Sequence, residues 1–191
     1  MARAPGIAGL ESRLQAEFRA DWSDRQKALD LALQTASSAF SVKGLGRSGP
    51  LLREHTRLLE EALADARSLL LQRVPRVLAA LDLGAEDLTV RTSLRAVIGA
   101  EVTRLATDFD QLLTREAASM GFSNTLGCSV HGKQKALLTT LDTELDGTLK
   151  LLVRETKARV IPWYQRPVGY IVLTVIAGVL VWLLVAKVFG P

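Results

Sequence analysis

The sequence predicts an all-α protein: an elongated antiparallel bundle of about four long helices, followed by a single C-terminal transmembrane helix. Three observations predict it. Apolar residues recur every three or four positions along most of the first 160 residues, the period of a helix that buries one face. Strand signals are nearly absent. Residues 168–186, VGYIVLTVIAGVLVWLLVA, are 19 consecutive uncharged and mostly apolar positions, and roughly 20 such residues in a helix cross a hydrocarbon core of about 30 Å.

The first helix is expected over 7–40. Leu10, Leu14, Phe18 and Trp22 lie four apart, and Leu29, Leu33, Ala36 and Phe40 continue the stripe. Ser23 and Gln26 have capping-box spacing, which predicts a break near 21–24. The second helix starts near Pro50, a favourable first-turn residue, and carries Leu51, Leu52, Leu58, Leu59, Leu63, Ala66, Leu70 and Val74. Pro75 is expected to end or kink it, leaving 77–83 as a short further turn. The third helix, over 86–120, has Leu94, Ile98, Val102, Leu105, Phe109 and Leu112 at coiled-coil-like spacing. The fourth, over 133–161, repeats it with Leu138, Leu141, Leu145, Thr148 and Leu152.

Two connections share a pattern. FSVKGLGRSG (40–49) and FSNTLGCS (122–129) both hold Phe-Ser and then Leu-Gly-x-Ser, which raises the idea of a duplicated helix–loop–helix unit. In an up-down-up-down bundle both would cap one end, the end far from the membrane if the fourth helix leads into the span. Lys43, Gly46, Arg47, Leu126, Gly127 and His131 are therefore the candidate partner-binding residues.

The tail has its own logic. Fourteen Val, Ile, Leu and Phe residues lie between Val168 and Phe189, worth roughly 5 kcal/mol of insertion at about 0.3–0.6 kcal/mol each. Lys150, Arg154, Lys157, Arg159 and Arg166 precede the run and Lys187 follows it, so the N-terminal side is expected to be cytoplasmic. In a bacterium the membrane would be the inner one. Arg159, Trp163, Tyr164, Arg166, Trp182 and Lys187 are the expected interface residues, the bases facing anionic head groups at about 1 kcal/mol each. Pro162 and Pro167 make 161–167 an elbow between a bundle at 1–160 and a span at 168–188. Thr174 and Gly178 form a small-x-x-x-small pair through which spans associate, so self-association is a further expectation.

Composition narrows the chemistry. The net charge of +4 comes from 24 bases and 20 acids, interleaved along the chain, a solvated helical surface and no nucleic-acid footprint. One cysteine, Cys128, excludes an internal disulfide. The first 18 residues lack the apolar core of a signal peptide, since Glu11 and Arg13 interrupt it. Gly44, Gly46 and Gly49 match G-x-G-x-x-G, but a helix precedes them where a dinucleotide fold needs a strand. Cys128 and His131 form a single Cys-x-x-His pair, with His55 the only other histidine. A structural zinc site takes four ligands, so no metal and no cofactor is expected. Paired carboxylates at Glu60–Glu61, Glu86–Asp87 and Asp108 with Asp110 read as solvated helix faces.

The function expected from these features is non-enzymatic. A membrane-tethered helical scaffold or adaptor would present its cytoplasmic bundle to a protein partner. The alternative is an oligomerising effector that perturbs the bilayer, motivated by Thr174, Gly178 and Lys187. An enzyme built on Cys128 and His131 ranks third.

Overall fold

A computed structural model of the chain describes residues 5–159 apart from residue 126. Four helices account for most of them: α1 (Pro5–Val42), α2 (Gly49–Ala80), α3 (Leu88–Ser119) and α4 (His131–Arg159). The chain divides into two compact units, Met1–Leu152 and Val153–Pro191, and everything below concerns the first. No strand occurs among the described residues.

Ion pairs and close approaches give the order of the bundle. Gly9 lies under Leu81, Glu17 pairs with Arg76, Asp21 with Arg73, and Arg25 with Asp65. The numbers on α1 rise as those on α2 fall, so the two are antiparallel. His55 of α2 reaches Glu116 near the far end of α3, and Arg91, Arg95, Gly99 and Thr103 of α3 face Asp146, Asp142, Leu138 and Gln134 of α4. The bundle therefore runs up-down-up-down, with α4 parallel to α2. Arg67 joins that last pair, donating to the Leu137 carbonyl at 3.0 Å and the Thr140 hydroxyl at 2.7 Å and pairing with Glu144 at 2.8 Å. This order places the connections 43–48 and 120–130 at one end and 81–87 at the other.

The core is a single apolar cluster drawn from all four helices. Leu10, Leu14 and Phe18 of α1 are fully buried, and Phe18 stacks on Trp22 with ring centroids 5.5 Å apart. Each such side chain removed from water contributes about 1.5–3 kcal/mol. The stripes differ in detail from those expected. On α4 the buried set is Leu137, Leu141, Leu145 and Leu149, while Leu138, Thr148 and Leu152 are half-buried. On α3 the seam passes through Leu113 to Ala117, with Leu112 half-covered beside it.

Two expected breaks do not occur. Residues 21–24 are helical, and α1 is continuous through them. Trp22 stacked on Phe18 and Asp21 bound to Arg73 hold that turn in register with α2, and Ser23 and Gln26 are both exposed helical positions. Pro75 likewise lies inside α2, which runs on to Ala80. A helical proline costs about 3 kcal/mol, and the burial of Val74, Val77 and Leu78 on either side of it exceeds that cost.

α1, α2 and α3 end in the same way. Leu45 N–H donates to the Phe40 carbonyl and Gly44 N–H to the Ser41 carbonyl. Leu83 and Asp82 do the same to Leu78 and Ala79, and Phe122 and Gly121 to Ala117 and Ala118. This is the Schellman arrangement, whose turning residue takes positive φ. Gly44 (71°) and Gly121 (87°) fill that position as expected, whereas at 51° Asp82 is the one non-glycine with positive φ among the described residues.

Candidate functional site

The end of the bundle that carries both expected partner loops is built from the last turns of α1 and α3 and the first turns of α2 and α4. Gly44 turns the chain out of α1. Gly46 then passes so close to that helix that a Cβ there would meet the Ser41 Oγ at 2.7 Å. Ser48 caps α2, accepting from the Leu51 N–H at 3.4 Å. The three glycines of the G-x-G-x-x-G match thus serve a helix stop, a close approach and a helix start. Lys43 and Arg47 stand exposed in this connection, and neither makes an ion pair among the described residues.

The second connection is organised by Asp110 of α3. Its carboxylate accepts from the Val130 N–H at 2.9 Å and the Ser129 hydroxyl at 3.3 Å, and it pairs with His131. Ser129 in turn accepts from the His131 N–H at 3.2 Å. A carboxylate from one helix therefore caps the start of another, where unpaired N–H groups favour negative charge. Gly127 has φ of 77°, and Leu126 lies outside the described residues. Only half of the repeat between the two connections survives in three dimensions. Ser48 and Ser129 each serve the start of a helix. Phe40 is still inside α1, however, while Phe122 lies three residues beyond the end of α3.

Cys128 and His131 do not act together. The thiol is buried in the core cluster, while the His131 side chain is 70% exposed and bound to Asp110. His55, the third residue weighed for a metal, is committed elsewhere. No group of three His, Cys, Asp or Glu side chains suited to a metal occurs among the described residues.

His55 is the centre of the feature that sequence reasoning missed. It is fully buried, with Nε2 at 3.2 Å from the Ser37 Oγ and Nδ1 against the Glu116 carboxylate. The Ser37 hydroxyl also lies 2.9 Å from the Leu33 carbonyl. The order Ser–His–carboxylate is that of an acyl-transfer triad, but here the imidazole is fully buried and the Ser37 hydroxyl also meets a carbonyl of its own helix. A nucleophile must be open to its substrate as well as to its base. The network instead joins α1, α2 and α3 across one layer of the bundle. One local signal existed: His55 sits at the four-residue spacing of Leu51, Leu59 and Leu63, a polar residue in a leucine stripe. Its partners lie 18 and 61 residues away, and no spacing rule links them.

Elsewhere, charged groups lie along helix faces. Glu101 is buried and held by Arg104, which also reaches Asp108 at 2.9 Å; the Glu101 carboxylate raises the Arg104 pKa above its ordinary value. At the opposite end Asp87 caps α3, accepting from the Thr89 N–H at 2.8 Å and from its hydroxyl. Those bonds hold its carboxyl below the usual range.

Of the expected membrane residues, one falls within these elements. Arg159 closes α4. Trp163, Tyr164, Arg166, Thr174, Gly178, Trp182 and Lys187 lie outside the described residues, as do the expected elbow and span. Among the described residues, no helix is long and apolar enough to cross a membrane.

Fold and site together define a four-helix all-α bundle with a polar layer in which a buried His55 joins half-buried Ser37 and Glu116. Comparison with protein-family models, curated proteins and solved structures gave no match.

Proposed function

We propose that the chain is a membrane-tethered helical adaptor. Residues 168–188 anchor it, and the bundle offers the end bearing 43–48 and 120–130 to a cytoplasmic protein partner. The observation that carries this reading is the helix register, which brings two exposed connections, each rigidly capped, to one end of the first unit. The 19-residue apolar run in the sequence supports the tether. Lys43 and Arg47 give the offered end a positive edge suited to an acidic partner surface.

The test has two arms. The full chain is expected to stay in the membrane pellet through alkaline carbonate, and a chain lacking 161–191 to leave it. Recovery of the full chain in the soluble fraction would refute the tether. Lysine cross-linking in the native membrane, read by mass spectrometry, is expected to join Lys43, Lys133 or Lys135 to one recurrent foreign protein. Cross-links confined to lipid-embedded or self contacts would remove the adaptor role and favour the membrane-active effector.

A further inference from the structure

The second half of α1 carries two apolar stripes, and only one is covered among the described residues. Leu29, Leu33 and Phe40 turn towards the bundle, with Leu33 buried and the other two half-covered. The second stripe is Ala28, Ala32, Thr35, Ala39 and Val42, at spacings of four, three, four and three. That is the 3.5-residue period of a helix seeking a partner helix. Ala28, Thr35, Ala39 and Val42 are exposed, Val42 at 90% and its neighbour Leu31 at 64%. Of the five large apolar side chains exposed among the described residues, Leu31, Val42 and Leu45 lie on or just after this stretch. An open groove of about 500 Å³ runs beside the stripe, between α1 and the Glu54 and Leu58 positions of α2. A second groove of about 240 Å³ continues it past Trp22, Arg25, Glu61 and Asp65. Isolated surface apolar residues need no explanation, but a periodic row beside a continuous groove marks an interaction site.

We propose that this groove is where two copies of the chain pair, the second halves of their α1 helices lying antiparallel. Two features select a second copy. First, the stripe is self-complementary under a two-fold axis, as an isologous interface requires. Ala28 of one copy meets Ala39 of the other, and Ala32 meets Thr35, so small residues face small residues and the helix axes approach to about 8 Å. Second, the charges at the two ends of the stripe are matched. Lys43 follows Val42, exposed and free of any ion pair among the described residues. At the other end stand Glu61 and Asp65, their side chains 62% and 65% exposed and each held by one surface arginine. The antiparallel layering sets Lys43 of the second copy over the groove that Glu61 and Asp65 line. A parallel pair would set Lys43 beside Lys43, against like charge.

The test uses the full chain in mild detergent. Sedimentation is expected to show a dimer, and Ala32→Glu to raise its dissociation constant about 30-fold or more, the loss of a central contact, with helicity unchanged by circular dichroism. Lys43→Glu is expected to weaken the dimer about fivefold, a surface-pair effect, and Asp65→Lys in the same chain to recover it. Mixed under oxidation, Ala28→Cys and Ala39→Cys chains are expected to form a heterodisulfide, and Ala28→Cys alone none. A monomer at all concentrations overturns the proposal. So does a dimer that survives Ala32→Glu and dissolves on Gly178→Leu, which would place the contact in the span. An Ala28→Cys homodisulfide overturns the antiparallel order.

Discussion

The two halves of α1 have similar composition and opposite fates. Before residue 23, Leu10, Leu14, Phe18 and Trp22 form one unbroken buried row. After it, Leu33 is the sole buried apolar side chain, and polar contacts, Arg25 to Asp65 and Ser37 to His55, do more of the holding. The first half is fastened by area removed from water, which is non-directional and accumulates with every contact. The second half is fastened at few points, Leu33, the Arg25–Asp65 ion pair and the Ser37–His55 bond, and these leave a face uncovered. A helix held in this way can be rigid and still have surface to offer.

The contrast is broken most strongly at Phe18. Phe18→Ala is expected to cost about 3–5 kcal/mol, the usual price of a large cavity in a packed core, whereas Leu31→Ala stays within about 0.5 kcal/mol. Chemical denaturation followed by circular dichroism distinguishes them, and equal costs would show that the second half is as well packed as the first. A smaller effect is expected at the polar layer. Glu116→Ala leaves a buried imidazole without its charged partner and is expected to cost about 2–3 kcal/mol; Ser37→Ala, which removes one neutral bond, costs about 1 kcal/mol. Amide hydrogen exchange sharpens the point. In Ser37→Ala the amides of residues 32–42 are expected to lose protection while those of residues 10–22 keep it.

The smallest effect concerns the opposite end, where the connection 81–87 lies beside the start of α1. The Asp87 carboxyl is held below the usual range by its bonds from Thr89. A carboxyl with a depressed folded-state pKa contributes fully above its unfolded value near 4 and loses that contribution as pH falls through the folded value. Stability is therefore expected to decline on acidification in the wild type and less steeply in Asp87→Asn, which keeps the cap and cannot titrate. Parallel acid profiles for the two proteins would remove Asp87 from the account.

Sequence periodicity was a good guide wherever burial alone decides structure. The helices stand close to where the leucine spacing puts them, and Pro50 marks the first turn of α2 as expected. Local signals misled where a tertiary contact opposed them. Ser23 and Gln26 have the right spacing for a cap, but Trp22 and Asp21 are already engaged with their own chain and with α2. Pro75 is a breaker beside buried valines that outweigh it. The polar layer was illegible for another reason: Ser37, His55 and Glu116 belong to three different helices, and only the assembled register makes them neighbours. The exposed stripe on α1 was hidden by its smallness, because alanines at heptad spacing read as filler until their exposure is known.

The single thiol, buried just ahead of α4, gives the molecule a clock. Cys128 lies within the core cluster, in the segment that Asp110 ties down, so alkylation of the native protein must wait for that end to open. With reagent in excess and reclosing fast, the modification rate equals the opening equilibrium multiplied by the intrinsic thiol rate, and when reclosing is slow it becomes the opening rate itself. Varying the reagent concentration separates the two regimes. Since the chain has no other cysteine, the signal comes from one place, and the opening of that end of the bundle can be timed by alkylation alone.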